Sequence, residues 1–192
     1  MNDRITERHP FEPFLPQGAK LLMLGTFPPP RARWSTDFYY PNFQNDMWRI
    51  FGLAFFGDKD RFVEGRWFDK EKIADFCSEK GIALSDTALE VVRLKGNASD
   101  KFLEITRPAD IRGMLRRLPE CRAVAVTGQK ASETFAFLFD IEKPKVGSFT
   151  PFAFECRTIK LYRMPSSSRA YPKPLAEKAA VYREMFGEIG LL

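Results

Sequence analysis

Four stretches of the chain carry side chains whose types and spacing could do chemistry. Residues 38–48 read FYYPNFQNDMW, so two tyrosines and a proline turn precede Asn45 at the head of an amphipathic pattern. A ring such as that of Tyr40 offers a stacking surface, and a carboxamide offers one acceptor and two donors. Together they can recognise a planar base with a polar edge. A simpler account makes Asn45 a helix N-cap, its oxygen accepting a first-turn N–H while Asp46 complements the dipole. Spacing alone favours the cap. Residues 164–172 read MPSSSRAYP. Ser166, Ser167 and Ser168 offer hydroxyls and backbone N–H groups that can hold phosphate oxygens. Arg169 can pair with a phosphate or enter a duplex. For a serine triplet in general, an ordinary polar turn is the better account. In TGQKAS, residues 127–132, a strand ending at Gly128 and leading into a helix turns backbone donors outward. Gln129 shares that turn, and Lys130 can add a salt-dependent phosphate contact. A bare strand-to-helix turn explains the segment as well. Residues 93–103, RLKGNASDKFL, are basic and turn-rich, and fit a DNA-facing loop or a solvated connection equally.

Other chemistries lack their residues. Neither a GxxxxGK loop nor a GxGxxG fingerprint occurs, so no dinucleotide cofactor is indicated. The single histidine, His9, argues against a His-dependent triad and a multi-histidine metal site. Cys77, Cys121 and Cys156 are widely spaced with no CxxC, which argues against a disulfide framework, a zinc site and an iron–sulfur cluster. Each lies in or beside an apolar segment and reads as a buried, reduced thiol. The expectation is a protein without metal or cofactor.

The elements that must position these residues are legible as two periodicities. Residues 20–25 (KLLMLG), 82–86 (IALSD) and 123–128 (AVAVTG) are short continuous apolar runs, the pattern of strands covered on both faces. Residues 157–162 (RTIKLY) form a fourth, more polar candidate. Between them lie helical faces: Met47, Phe51, Ala54 and Phe55; Ile73, Phe76, Cys77 and Lys80; Ile111, Met114, Leu115 and Leu118; Ala131, Thr134, Phe135, Leu138 and Phe139. A last helix carries Leu175, Ala179, Tyr182, Phe186 and Ile189, with Pro174 suited to its first turn. Strands alternating with helices predict an α/β domain with a mostly parallel, four-stranded sheet and helices on both faces. In such sheets the loops leaving the carboxyl ends of the strands form the site. That rule brings Phe27, Asp86, Gln129, Lys130, the three serines and Arg169 to one edge.

Composition bounds the class. A chain of 192 residues, 44% hydrophobic and 29% charged, suits one globular domain and argues against disorder. Thirty basic against 25 acidic residues give +5, compatible with a nucleic-acid partner. No apolar run approaches the roughly 20 residues of a membrane span. The first sixteen residues hold charges and prolines but no apolar core of a secretory signal, so a cytoplasmic location is the default. They belong to a surface-packed arm, residues 1–18 of a single domain 1–192.

Taken together, GTFPP at 25–29, YYPNFQNDMW at 39–48, TGQKA at 127–131 and MPSSS at 164–168 resemble the uracil-DNA glycosylase superfamily, in the same order and over most of the chain. The nearest branch looks like the mismatch-specific uracil- and thymine-DNA glycosylases, with some likeness to the hypoxanthine-DNA glycosylases. The resemblance implies a three-layer α/β/α fold and a monofunctional glycosylase. Such an enzyme flips a deaminated base from double-stranded DNA and hydrolyses its N-glycosidic bond, leaving an abasic site. The family's first motif, of the form GINPG, supplies an asparagine that positions the attacking water. Here Gly25 and Thr26 are followed by Phe27, and a phenyl ring can neither orient nor activate water. In the hypoxanthine branch that asparagine is also missing, and one just before the tryptophan-containing helix is held to be important. The matching residue is Asn45. Carried over, Tyr40 stacks on the flipped base beside Gly25, Thr26 and Phe27. Asn45 hydrogen-bonds the base edge or holds the water. Ser166, Ser167 and Ser168 hold phosphates, and Arg169 is the candidate duplex wedge, although the related MPSSSAR pattern places its arginine one residue later. No lysine nucleophile is evident, so no lyase step is expected. A monomer is expected. The alternatives are a catalytically silent DNA-binding homologue that keeps the pocket, and a small-molecule enzyme on a doubly wound sheet.

Overall fold

The computed structural model describes residues 5–95 and 99–192, so the first four residues of the arm and the middle of the 93–103 segment lie outside the described residues. After β1 (Thr6–Arg8), the four predicted strands form as β2 (Leu21–Gly25), β5 (Ile82–Asp86), β8 (Ala123–Thr127) and β10 (Arg157–Met164). They pair in parallel, β5 with β2, β2 with β8 and β8 with β10. Every residue of β2, β5 and β8 is buried, as continuous apolar runs require in a sheet covered on both faces.

Period-two alternation sorts these strands into two cores. Leu21 and Met23 of β2 pack with α1 (Met47–Phe56), α2 (Lys70–Lys80) and α5 (Leu175–Glu188). Leu22 and Leu24 pack instead with α3 (Ile111–Arg117) and α4 (Gln129–Phe139). The first layer is aromatic: Phe51 stands edge-on to Trp48 at 5.2 Å and to Phe186 of α5 at 5.2 Å. Helix α1 stops at Gly57, whose left-handed φ of 68° lets its N–H reach the Gly52 and Leu53 carbonyls. A small hairpin, β3 (Val63–Glu64) with β4 (Trp67–Phe68), joins α1 to α2.

Three expectations are corrected. The central sheet has five strands, not four: β9 (Ser148–Phe154) joins antiparallel to β10 at the edge. Its connection is a tight turn at Glu155, which has φ 52°, so the usual Asn-Gly or Asp-Gly hairpin signal is missing. The connection leaving the carboxyl end of β5, expected as one of the loops that form the site, is not a loop throughout. Residues Ala88–Arg93 form β6, which pairs antiparallel with β7 (Leu103–Pro108) and with β1 of the arm, making a separate three-stranded sheet. Finally, Cys77 and Cys121 are buried but Cys156 is exposed, because it occupies the β9–β10 turn. Burial pushes the Cys121 thiol up to about 11, which suits an inert core residue.

The arm does more than cover surface. Phe14 exchanges backbone hydrogen bonds of 2.9 Å with Leu84, closing the open edge of β5.

Candidate functional site

The parallel register sets the carboxyl ends of β2, β5, β8 and β10 at one level, with Gly25 opposite Asp86 and Met164 opposite Thr127. The loops leaving those ends border an open cleft of about 1080 Å³. The eleven residues assigned from the sequence to the base or the DNA all line it, Gly25, Thr26, Phe27, Tyr40, Asn45, Gln129, Lys130, Ser166, Ser167, Ser168 and Arg169, and so does Asp86.

Asn45 precedes α1, and its Oδ1 accepts the Met47 N–H at 2.9 Å. Only the oxygen can accept, so the amide orientation follows. The Nδ2 donors have no partner among the described residues, on a side chain that borders the cleft. The N-cap position itself belongs to Asp46, one residue later than the spacing suggests. The Asp46 carboxylate does not cap. It takes Lys178 Nζ of α5 at 3.0 Å and Arg169 Nε at 3.2 Å. Lys178, 1% exposed, also donates to Ser168 O at 2.8 Å, and the Asp46 N–H donates to Ser167 O at 2.9 Å. One buried ion pair therefore locks the Asn45 turn to the serine loop.

Tyr40 has φ 51°, a left-handed conformation that costs a non-glycine residue on the order of 1 kcal/mol. Two contacts hold it there. Its hydroxyl lies 3.2 Å from Thr127 Oγ1, and its ring stands edge-on to Trp48 at 5.9 Å. Trp48 Nε1 in turn donates to Tyr39 O at 3.0 Å, fixing the tyrosine pair to α1. Burial, and then the charge of Asp86, raise the Tyr40 phenol well above its ordinary value, so it remains a neutral hydroxyl.

On the β2 side, Phe27 is 8% exposed and packs with Ala88, Val91 and Leu103. Its loop is pinned by Arg93, which donates to Pro28 O at 2.6 Å and to Glu7 of the arm at 2.8 Å. Trp34 Nε1 adds a bond to Pro29 O at 2.7 Å. Gly128 has φ 90°, a conformation open to glycine at the entry of α4. Lys130 spends its Nζ on Leu103 O at 2.7 Å, while Gln129 bridges Glu133 and Arg163. Ser166 and Ser168 hydroxyls accept the backbone N–H groups of Ser168 and Ala170, each at 3.2 Å. Arg33, Lys101, Arg163 and Arg169 also border the cleft and lend it a cationic rim. Facing them inside is Asp100, whose carboxyl is raised by burial against the opposing effects of Thr26 and nearby cations.

Sequence reasoning set Asp86 at the rim without a role and left His9 in the arm. The structure joins them, with His9 Nε2 2.8 Å from Asp86 Oδ2. It also supplies Thr127 and Lys178, which had no signal beyond an apolar strand end and a helical lysine. No group of three or more His, Cys, Asp or Glu among the described residues is placed to hold a metal. No described helix is long and apolar enough to cross a membrane.

No protein-family model matches the chain, and no curated protein matches it. Among solved structures, it is similar to the solution NMR structure of a "putative Uracil DNA glycosylase" from Methanosarcina acetivorans. The TM-score is 0.63 at 24% identity, covering 94% of this chain and 99% of that one. The likeness defines the class of fold, a mixed α/β architecture on a five-stranded, mostly parallel sheet.

Proposed function

We propose that this chain is a monofunctional DNA glycosylase of base-excision repair, acting as a single domain and a monomer on double-stranded DNA with a damaged or mismatched base. The observation that carries the reading is the convergence of Tyr40, Asn45, the serine loop and the strand-end turns on one open cleft. The fold likeness to the Methanosarcina acetivorans protein, described as a "putative Uracil DNA glycosylase", supports it.

The cationic rim and the serine loop take phosphates, which fix the duplex in register. The target nucleotide leaves the stack at a cost of a few kcal/mol, lowest for weakly paired lesions. Tyr40 supplies a neutral ring against the base. Asn45, its oxygen already engaged by Met47, donates through Nδ2 to a carbonyl of the base. As the glycosidic bond breaks, electrons pass to the departing base, and that amide donor stabilises the developing anion. The DNA phosphates offset the positive charge left on the sugar, and water adds there, its released proton passing to the base anion, to leave an abasic site and the neutral base. The chemistry as proposed uses no metal or organic cofactor. Phe27 in place of the usual asparagine favours the hypoxanthine-type branch over strict uracil enzymes, with uracil, hypoxanthine and mismatched thymine as candidate substrates.

A panel of duplexes, each with one lesion and then treated with alkali, tests the reading. Strand breaks at one or more deaminated bases are expected. The same Phe27 supports a second reading, a catalytically silent homologue that keeps the lesion pocket. Lesion-selective, salt-dependent binding with no break at any lesion would establish that second reading instead.

A further inference from the structure

Water that adds to the sugar must give up a proton, and the side chains set against the base are poor acceptors of one. Asn45 turns a donor to the cleft, Tyr40 is a neutral phenol and Phe27 a phenyl ring. Three acidic residues border the cleft, Asp86, Asp100 and Glu133. Asp86 is engaged by His9 Nε2 at 2.8 Å, and Glu133 by Gln129 and, at 3.4 Å, by Lys143. The Asp100 carboxyl is left without an ion-pair partner among the described residues. Lys130 and Arg93 act on it only from a distance. Lys130 gives its Nζ to Leu103 O at 2.7 Å, and Arg93 is spent on Glu7 and Pro28 O.

The β6–β7 connection holds that carboxyl against the end of β2. Asp100 opens a short 3₁₀ turn, Asp100–Phe102, closed by the Leu103 N–H on Asp100 O. The Leu94 N–H binds Phe102 O at 2.8 Å, and Leu103 packs with Phe27. The Thr26 hydroxyl faces the carboxyl and draws on its charge. Thr26 is 4% exposed, borders the cleft, and is pinned through its carbonyl by the Ala88 N–H at 3.1 Å. Its Oγ1 forms no full hydrogen bond there or elsewhere, although it is buried. A buried hydroxyl in that state calls for a partner. Hydroxyl and carboxylate together make a seat for water: one hydrogen goes to the carboxylate, the other to Oγ1, and the oxygen lone pairs turn outward. Burial raises the Asp100 pKa against the Thr26 hydroxyl, and the Asp86 charge raises it further against Lys130 and Arg93. The net rise makes it a stronger base than an ordinary aspartate.

We propose that Asp100 is the catalytic base of the site and that Thr26 orients its water. The inference rests on the glycosylase reading. As the bond from C1′ to the base nitrogen breaks, its electron pair leaves with the base. The water oxygen bonds to C1′ and its proton passes to the Asp100 carboxylate. The carboxyl then hands that proton on to the base anion and ends as it began.

The test separates rate from binding. Base release is followed in single turnover, with protein in excess over the lesion duplex that the wild type cleaves fastest. Affinity is measured on the same duplex carrying a cleavage-resistant 2′-fluoro nucleotide at the lesion. General bases contribute about 10²–10⁴-fold, so Asp100→Asn should slow release at least about 100-fold. Its affinity should be unchanged or higher, since a negative charge has left the cleft. Thr26→Val removes an unpaired hydroxyl at similar volume, so it should slow release without lowering stability to urea. If Asp100→Asn fails to fold, the Thr26→Val rate decides. Release at the wild-type rate in the folded variants would overturn this inference and leave the glycosylase reading standing. So would an affinity loss in Asp100→Asn as large as its loss of rate. A wild type that releases no base from any lesion would overturn both.

Discussion

The Asn45 carboxamide is divided between structure and recognition: oxygen to the Met47 N–H, nitrogen to the cleft. Asn45→Ala loses that one hydrogen bond and should therefore lower stability by about 0.5–1.5 kcal/mol, measured by urea unfolding, and abolish base release in the folded protein. Asn45→Asp keeps the acceptor and loses the donor, so it should retain most of the stability and still release no base. Release at the wild-type rate in both variants would remove Asn45 from the chemistry. His9 makes a prediction of opposite kind. Burial lowers its pKa, but the Asp86 hydrogen bond and charge raise it further, and the net value lies above 6.5. A raised pKa means that the folded state holds the proton more tightly than the unfolded chain. Its stabilising contribution is complete below that ordinary value and fades as pH rises through the folded value. His9→Gln should cost more stability near pH 5.5 than near pH 9, read from urea unfolding at the two pH values. A penalty that grows with pH would contradict the pairing. The two residues differ in legibility for a physical reason. Asn45 announces itself through a local pattern ahead of a helix. His9 and Asp86 stand 77 positions apart and meet only because an arm strand pairs with β6.

Among the elements, α1, α5 and the serine loop are joined at one point, the Asp46 carboxylate between Lys178 and Arg169. Removing one partner of a buried pair leaves an uncompensated charge, at about 3–5 kcal/mol. Lys178→Met should fall near the lower end, about 3 kcal/mol, because Arg169 remains beside Asp46. The same variant frees Ser168 O and should loosen the serine loop, so any folded fraction is expected to bind duplex more weakly. The four parallel strands and five helices were readable because burial on both sheet faces writes continuous apolar runs, and helices write their 3.6 period. Strand β9 escaped because Pro151 interrupts it, a residue compatible only with an edge, and because its turn lacks glycine. Strand β6 escaped because ALEVVR mixes charge with apolar residues in no clean alternation, and β7 because its alternation, LEIT, lasts only four residues before Arg107 and Pro108.

At the scale of the whole molecule, the net charge of +5 favours a polyanionic partner, and Arg33, Lys101, Arg163 and Arg169 border the cleft, where they outnumber its acidic residues Asp86, Asp100 and Glu133. Duplex affinity should fall log-linearly with salt, and Arg169→Ala should make the slope shallower by about one. Anisotropy titrations over a range of salt concentrations check this; an unaltered slope would take Arg169 off the phosphate path. The central claim is that this rim receives a base turned out of the helix. The most direct measurement places 2-aminopurine beside a uracil or hypoxanthine in a duplex and follows its fluorescence as protein is added. Loss of stacking on the neighbouring side should raise the emission with the wild type, less so with Tyr40→Ala, and not on an undamaged duplex. Saturating binding with no rise at either lesion would contradict the account.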